Sequence, residues 1–315
     1  MAVRCSALSL GTSGTSYSYL EKGDWQASLA YRWLHSDRHF IGSVEQKQRQ
    51  AEGSEVINDV HTFDLTATYA ATKRLSLSLT LPFVHADRSS LYEHRKDGIG
   101  NGRHHMQAGG LGDVRLVGNF WLFSPDRHTN GNIALGLGLK APTGDYKATD
   151  FKFFYDGAVL DYVDNSIQPG DGGWGVLWEM QAFQKLFDRT FAYANTTYLF
   201  NPQNTNSIGN SIWDAYVARL GLNYAIWPEK GLSLSLGGRI EGVPPSDAIG
   251  DSEGRRRPGY AISIEPGITW TYRRVSINVS APVALYRNRQ SNYLGRPGDA
   301  AFADYLILSS ITYRF

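Results

Sequence analysis

The sequence lacks the features that define several common protein classes. Cys5 is the only cysteine among 315 residues, so an internal disulfide and a cysteine-based metal site are both excluded. No run of about 18 apolar residues occurs, which excludes an ordinary transmembrane helix. Lysine plus arginine (31) nearly equals aspartate plus glutamate (30), so the charge balance gives no reason to expect nucleic acid. We predict no cofactor and no metal ion.

The first residues also lack a recognisable export signal. The opening stretch MAVRCSALSLGTSGTSYS contains no apolar segment of the length, about 7–15 residues, that a secretory signal requires. Read alone, this stretch predicts a cytoplasmic protein, whereas the remainder of the sequence predicts export. We expect residues 1–23 to form an N-terminal segment and residues 24–315 to form a single domain.

What the sequence does have is alternation of apolar and polar side chains with a period of two, the pattern of β-strands. In Leu75–Phe83, for example, the leucines alternate with Ser76, Ser78 and Thr80. Little of the remaining sequence has helical periodicity. The alternating segments are 24–36, 57–70, 75–86, 112–124, 131–144, 174–187, 191–201, 212–227, 231–243, 259–273, 274–287 and 302–315.

The connections between these twelve segments are short and long in strict turn. The long ones are rich in glycine and charge, as in EHRKDGIGNGRHH. This plan predicts an all-β fold: a transmembrane antiparallel up-and-down β-barrel of 12 strands, with short periplasmic turns and long extracellular loops. Residues 1–23 then lie in the periplasm and residues 24–315 form the barrel in the outer membrane of a Gram-negative bacterium.

A soluble β-sandwich is the alternative, because its strands also alternate. Apolar faces of about ten residues match the length that a tilted strand needs to cross hydrocarbon, which favours the barrel. Aromatic residues also gather at both ends of the strands, where membrane interfaces would lie. Those near the short turns are Trp25, Tyr69, Phe120, Tyr224, Trp227, Trp270, Tyr272, Tyr313 and Phe315, and those near the long loops are Trp33, Phe83, Trp174, Phe200, Tyr216, Tyr260 and Tyr305.

The last strand ends on an aromatic residue. Its face carries Ile311, Tyr313 and Phe315, and this ending resembles the C-terminal signature of bacterial outer-membrane proteins. The resemblance implies an assembly signal that the barrel-assembly machinery recognises. The same strand must pair with the first strand, since open sheet edges are not tolerated in lipid.

Three stretches resemble one family of outer-membrane proteins. GGLGDVRLVGNFWLF (109–123), LGLGLKAPTGDY (135–146) and LSLSLTLPFV (75–84) are similar to the family of the MetA-pathway of phenol degradation, whose members are often called transporters. The resemblance implies a barrel that admits small molecules, with aromatic or hydrophobic compounds as candidates. We therefore predict an outer-membrane channel for passive uptake of a small-molecule solute through a narrow, charged lumen.

Charged side chains on the inward parity are the candidate lumen and selectivity residues. Buried charges need partners or water, so they form either a lattice of salt bridges that braces the wall or a zone whose field selects solutes. Both interpretations remain open from the sequence. The residues are Arg32, Asp64, Arg115, Lys140, Glu179, Arg219, Arg239, Glu241 and Glu265.

The loops add further candidates. The apolar stretch 151–162 either folds into the mouth as a constriction or stacks above the rim, and its aromatic residues are Phe151, Phe153, Phe154 and Tyr155. The cluster 255–257 consists of three arginines, which we expect to meet lipopolysaccharide phosphates. The adjacent His104 and His105 point in different directions and do not predict a metal site. A loop calcium site would use Asp161, Asp164 and Asp171.

Prolines lie near the outer ends of the upward strands. They either end those strands or kink the rim and open a side exit into lipid, as in FadL-type channels. The prolines are Pro82, Pro142, Pro202, Pro244 and Pro282.

Two other functions compete with transport. One is a structural or assembly partner barrel of the outer membrane, which the sequence alone does not exclude. The other is an outer-membrane lipid hydrolase, for which His85 on the outer wall is the best candidate base. The sequence contains no G-x-S-x-G motif, so we predict that the protein is not an enzyme.

Overall fold

The computed structural model describes residues 19–315, except 92, 94, 97–98 and 101. Twelve antiparallel strands form the barrel, and two of them are interrupted once. In chain order, β1–β12 are Trp25–Ile41, Ile57–Ala70, Leu75–Ser90, His104–Leu111 continued by Arg115–Trp121, Gly131–Lys140, Gly175–Phe187, Thr190–Phe200, Ala215–Trp227, Leu232–Val243, Gly259–Tyr272, Val275–Ser280 continued by Val283–Asn288, and Ala300–Arg314.

The barrel is closed by pairing of its last strand with its first. β12 pairs with β1 from the Gln26–Arg314 pair to the Phe40–Ala300 pair. The Phe315 N–H donates to the Trp25 carbonyl at 2.9 Å, so the C-terminal residue continues the seam. The up-and-down barrel predicted from the alternation is confirmed.

The exterior of the barrel is apolar. Outward leucines on three different strands are about two-thirds exposed: Leu137 (67%), Leu220 (66%) and Leu285 (68%). Such a surface is stable only against lipid, because a transmembrane barrel presents its apolar band to the acyl chains. The closed barrel and this band place the protein in the bacterial outer membrane.

Aromatic residues border the apolar band at both ends. On the side of the short turns, Trp25 packs on Tyr69 with ring centroids 4.9 Å apart. On the side of the long loops, Trp33 packs on Tyr305 at 5.8 Å. These contacts mark the two membrane interfaces, where amphipathic rings are most stable.

Smaller elements lie outside the barrel wall. Helix α1 spans Gln48–Ala51, and a 3₁₀ turn spans Pro228–Lys230. No helix among the described residues is long and apolar enough to cross a membrane. The loop strands are Val44–Glu45, the pair Arg95–Lys96 and Ile99–Gly100, and the hairpin Thr149–Phe154 with Gly157–Tyr162.

The largest boundary error lies in the connection between β3 and β4. The stretch 87–111 was expected to be a loop, but β3 extends to Ser90 and β4 already begins at His104. The glycine-rich sequence HHMQAGGL reads as a loop by composition, yet it pairs with β3 from Phe83–Leu111 to Ser90–His104. Strand pairing overrides the weak local preference of these residues.

The prolines have two structural roles. Pro244 directly follows the end of β9, and Pro142 and Pro202 lie one residue beyond the ends of β5 and β7. Pro82 and Pro282 instead lie at breaks in the sheet: the Pro82 carbonyl accepts from the Gly112 N–H beside the break in β4, and Pro282 lies in the break of β11. A proline cannot donate to the ladder, which accounts for both roles.

Candidate functional site

The outer half of the barrel is filled by a polar segment of the longest loop. Residues 163–171, which we call the plug segment, are all buried. Ile167 and Val163 lie in a core of inward-facing side chains that includes Leu34, Val60 and Met106. The plug segment therefore closes the outer mouth with an apolar contact.

Asp164 anchors the plug segment electrostatically. Its carboxylate accepts two hydrogen bonds from Arg257, at 2.6 and 2.8 Å, and Arg255 lies 3.0 Å away. Arg88 is 3.9 Å away and is also held by Glu93 at 2.8 Å. Burial alone would raise the pKa of Asp164, but the three guanidinium groups outweigh burial and hold its pKa well below the usual range.

The aromatic hairpin that precedes the plug segment lies at the surface. Tyr155 is 73% exposed and Phe151 is half exposed, whereas Phe153 and Phe154 are partly covered. Phe153 stacks on His104 with ring centroids 4.7 Å apart. The structure thus separates the apolar hairpin from the buried part of the same loop, and a constricting role for the hairpin stays a prediction.

A chain of ion pairs crosses the barrel below the plug segment. Arg32 on β1 donates to Glu241 on β9 at 3.0 Å, and Glu241 also accepts from Arg239 at 2.9 Å. Glu265 on β10 lies 3.6 Å from Arg239 and accepts from Arg219 at 3.0 Å. Because β1 and β9 are not neighbours in the sheet, the Arg32–Glu241 bond spans the interior of the barrel. We call these five residues the ion-pair ladder.

The remaining candidate lumen residues lie on the opposite side of the interior. Arg115 on β4 donates to Asp64 on β2 at 2.6 Å. Glu179 on β6 accepts a long hydrogen bond, 3.4 Å, from the Asn119 amide. Lys140 pairs with Asp171 at the end of the plug segment, and Asp113 is 3.7 Å from its ammonium.

All nine sequence-predicted lumen residues therefore point inward and have polar partners. Three of the pairs, Arg32–Glu241, Arg115–Asp64 and Arg219–Glu265, connect strands that are not adjacent, as a bracing lattice would, and these pairs are largely buried. A role in solute selection stays a prediction. Sequence reasoning missed the plug segment, since a polar stretch such as VDNSIQPGD gives no sign of burial.

The other loop candidates are engaged within the protein. Lys152 pairs with Asp161, and Asp164 and Asp171 are neutralised by the cations described above. No group of three His, Cys, Asp or Glu residues within the described chain has the geometry to hold a metal ion. Arg256 is buried and pairs with Asp247, so contact with lipopolysaccharide is left to the half-exposed Arg255 and stays a prediction.

The C-terminal residues face outward at the seam. Ile311, Tyr313 and Phe315 are exposed on the lipid side, and the Tyr313 and Phe315 rings lie 5.0 Å apart. This position is accessible to another protein. Recognition by the assembly machinery stays a prediction.

The proposed hydrolase base lacks the setting of a catalytic histidine. His85 stacks against His61 at 6.3 Å, and no serine of the described chain hydrogen-bonds its ring. His61 itself is held by the Tyr31 hydroxyl at 2.8 Å and by Asp59 at 3.1 Å. A nucleophile beside the base is the minimum for acyl transfer, and the geometry offers none at His85.

The fold and this interior define the protein as a transmembrane barrel of the bacterial outer membrane. An outer-membrane channel from Pseudomonas putida F1 is similar, with a TM-score of 0.63 and 14% identity over 97% of this chain and 100% of that chain. The β domain of the Bordetella autotransporter BrkA has a TM-score of 0.50 and 13% identity over 93% of this chain and 100% of that chain. These likenesses show the fold alone.

More remote barrels include the Pseudomonas putida toluene transporter TodX. Its TM-score is 0.44, with 9% identity over 94% of this chain and 90% of that chain. The sequence matches neither a family model nor a curated protein. The resemblance to the MetA-pathway family is therefore not confirmed.

Proposed function

We propose that the protein is an outer-membrane channel through which small, largely apolar compounds enter and then leave sideways into the membrane. The observation that carries this proposal is a gap in the barrel wall between β11 and β12, at Pro282. The P. putida channel supports it as a barrel of the same fold that is described as a channel.

The gap begins where the β11–β12 ladder stops. Below Pro282 the two strands pair from Val275–Tyr313 to Ser280–Leu308, but above it only the Val283–Tyr305 pair remains. The same register would place Leu285 opposite Ala303, yet those two residues are not paired. An unpaired stretch in a barrel wall exposes backbone groups that lipid cannot satisfy, so another group must bridge it.

Arg287 is that group. Its Nε donates to the Ala303 carbonyl at 3.0 Å, and its guanidinium also bonds to Asp304 at 2.5 Å. Arg38 on β1 reaches the same carboxylate at 2.7 Å. Between the Val283–Tyr305 pair and the two backbone hydrogen bonds that join Arg289 to Gly42, the gap is thus closed by side chains rather than by strand pairing. Side chains change rotamer far more readily than strands separate.

A small cavity lies directly behind the gap. Its volume is about 40 Å³, and its walls include Ala284, Ala303, Phe302 and Leu306. A cavity of this size holds a few water molecules but no aromatic ring, as a closed form of the proposed exit would. Arg32 and Glu241 of the ion-pair ladder form the inner side of the cavity.

A straight path to the periplasm is unfavourable for an apolar solute. A solute on that path would cross the ion-pair ladder and then a polar space. It would find there none of the apolar contacts that the hydrocarbon of the bilayer provides. Moving into the bilayer instead gains roughly 25 cal/mol for each Å² of apolar surface removed from water. The plug segment closes the route from outside, so its displacement is the step that admits solute.

The test is to fill the cavity and measure uptake. We compare proteoliposome uptake of an aromatic hydrocarbon, toluene, by the wild type, by Ala284→Phe, and by the matched control Ala27→Phe on the lipid face of β1. Ala284→Phe should lower uptake at least tenfold, because a phenyl ring exceeds the cavity volume. Equal uptake by all three would contradict the proposed exit.

The filled outer mouth also fits a second function, a barrel that serves as a structural or assembly partner and transports nothing. Single-channel recording separates the two. A channel should open at least transiently and more often when the plug segment is weakened, whereas a scaffold should stay silent in both forms.

A further inference from the structure

The small cavity behind the gap has an apolar side and a polar side. The apolar side, described above, faces β11 and β12. The polar side faces the barrel interior and consists of Arg32, Ser36, Glu241 and Ser263. A cavity of about 40 Å³ holds a few water molecules, so it has room for the polar head group of a solute but not for an aromatic ring. A solute at the gap would therefore place its head group in this cavity and its apolar body between the two strands.

A β-bulge brings Ser263 next to the gap. Ile262 of β10 pairs with Tyr286 of β11, and the next pair is Ser263 with Ala284, which leaves Leu285 as an extra residue of β11. Because side chains alternate along a strand, the extra residue turns Ala284 inward beside Ser263, whereas Tyr286 stays on the lipid face and is 41% exposed. Ser263 is thus the polar neighbour of the alanine that lines the gap.

The hydroxyl of Ser263 has no hydrogen-bond partner among the residues that the structure describes, although the residue is only 7% exposed. Two other inward serines are engaged. The Ser36 hydroxyl accepts from the Asn58 amide at 3.1 Å, and the Ser280 hydroxyl donates to Glu265 at 2.9 Å. Buried polar groups are normally hydrogen-bonded, and a hydroxyl can both donate and accept. Ser263 can therefore hydrogen-bond to a molecule that enters the cavity.

The Glu241 carboxylate has room for one more donor. Its Oε2 accepts from Arg32 at 3.3 Å and from Arg239 at 2.9 Å. Among the described residues, only Arg32 donates to Oε1, at 3.0 Å. A carboxylate oxygen offers about two acceptor sites, so Oε1 can accept a further hydrogen bond. The Glu241 side chain is 12% exposed and that of Arg32 is 1% exposed, so the accessible member of this ion pair is the acceptor.

A neutral hydroxyl is the head group that fits these two residues, because it can donate to Glu241 and accept from Ser263. A carboxylate head group would lie against the Glu241 carboxylate. An ammonium head group would join a carboxylate whose charge Arg32 and Arg239 already balance. Either ion would also lose its hydration on leaving into the bilayer, which costs far more than the same transfer of a hydroxyl.

We propose that the exit prefers neutral compounds whose apolar body carries a single hydroxyl group, such as benzyl alcohol, and that Ser263 determines this preference. The hydroxyl lies between Ser263 and Glu241, and the ring occupies the gap that Arg287 bridges in the closed form. The two hydrogen bonds replace those that the hydroxyl made to water. This inference rests on the proposed function and narrows its class of solute.

The experiment compares uptake of benzyl alcohol and of ethylbenzene into proteoliposomes, with uptake by protein-free vesicles subtracted. The two compounds have nearly the same shape and differ in a hydroxyl that replaces a methyl group. The variants are Ser263→Ala, Ser263→Thr and the control Ser233→Ala, which changes a serine of β9 that is 8% exposed but does not line the cavity.

The wild type should take up benzyl alcohol about fivefold faster than ethylbenzene, and Ser263→Ala should lose most of this preference because one hydrogen bond to the hydroxyl is removed. Ser263→Thr keeps a hydroxyl and should keep the preference, and Ser233→Ala should match the wild type. Benzaldehyde accepts a hydrogen bond but cannot donate one to Glu241, so its uptake should resemble that of ethylbenzene.

The same ratio of the two rates in the wild type and in a folded Ser263→Ala barrel would overturn the proposal, and so would benzaldehyde uptake as fast as that of benzyl alcohol. Heat-modifiable migration shows whether each variant is a folded barrel. If Ala284→Phe blocks uptake of both compounds but Ser263→Ala leaves their ratio unchanged, the role of Ser263 fails and the exit stands. If the protein promotes uptake of neither compound, or Ala284→Phe slows neither, the proposed exit fails and this inference fails with it.

Discussion

The plug segment should be released by removing one charge. In Asp164→Asn the side chain keeps its size but no longer neutralises Arg255 and Arg257, which lie within 3.0 Å of it. Breaking a buried pair by removing one partner costs about 3–5 kcal/mol when the other charge stays buried, as that of Arg257 does. The half-exposed Arg255 adds about 0–1 kcal/mol. Arg88 keeps Glu93 as a partner, so we take about 3 kcal/mol for the seated plug segment.

After this loss, the apolar contacts of Ile167 and Val163 still hold the plug segment in place. Ile167 and Val163 are almost fully buried, and each contributes roughly 1.5–3 kcal/mol to the seated state. The variant should therefore remain closed most of the time. Because 1.4 kcal/mol corresponds to a factor of ten, openings should become roughly a hundredfold more frequent.

Single-channel recording in planar bilayers measures that frequency directly. The matched control is Asp161→Asn, the same change in the same loop, where a half-exposed aspartate pairs with Lys152. An exposed pair is worth about 0–1 kcal/mol, so the control should behave like the wild type. Unchanged opening by a correctly folded Asp164→Asn barrel would refute the electrostatic anchor.

The pKa of Asp164 determines the pH range over which its carboxylate anchors the plug segment. A carboxyl whose pKa is lowered by folding stabilises the folded state above its unfolded pKa, about 3.9, and loses that contribution as the pH falls through the folded value. Opening should therefore not change between about pH 8 and pH 5 through this group. A rise near neutral pH that Asp164→Asn abolishes would contradict this assignment.

Three further outcomes are expected. Glu265→Gln should lower the free energy of unfolding, measured by urea titration, by about 3 kcal/mol, because it leaves Arg219 buried with a weakened partner. An unchanged urea midpoint would mean that the ion-pair ladder does not brace the wall. Phe315→Ala should reduce the assembled barrel in cells but not refolding in detergent, because the side chain is exposed; a defect in both would point to a packing role. Arg287→Ala should raise toluene uptake several-fold by unbridging the gap, and lower uptake would count against a closing role.

Much of the fold could be predicted because a barrel strand records its two environments in its own sequence. Leu75–Phe83 alternates strictly since one face contacts lipid and the other the interior, and each strand does so independently of its partners. The inward parity of Arg32 and Glu265 follows from the same rule. The rule does not predict which of these charges pair. Arg32 and Glu241 are 209 positions apart in the sequence, and only the curvature of the closed barrel brings them together.

The interior loops could not be predicted for a related reason. The apolar FKFFY stretch is open to two interpretations, a constriction in the mouth or a stack above the rim, whereas the buried part of this loop is the polar segment that follows it. Burial of Asp164 is stable only beside Arg257, 93 residues further along the chain. Local composition carries no trace of such a partner, and the same is true of the β3 pairing that makes HHMQAGGL a strand.

The central claim, that solute leaves between β11 and β12, can be tested by locking that gap. Leu285→Cys and Ala303→Cys, combined with Cys5→Ser, place two thiols across the gap for a short, reducible bis-thiosulfonate cross-linker. Toluene uptake into proteoliposomes should stop on cross-linking and return on reduction. Uptake that continues at the wild-type rate in the cross-linked protein would contradict the exit through the wall.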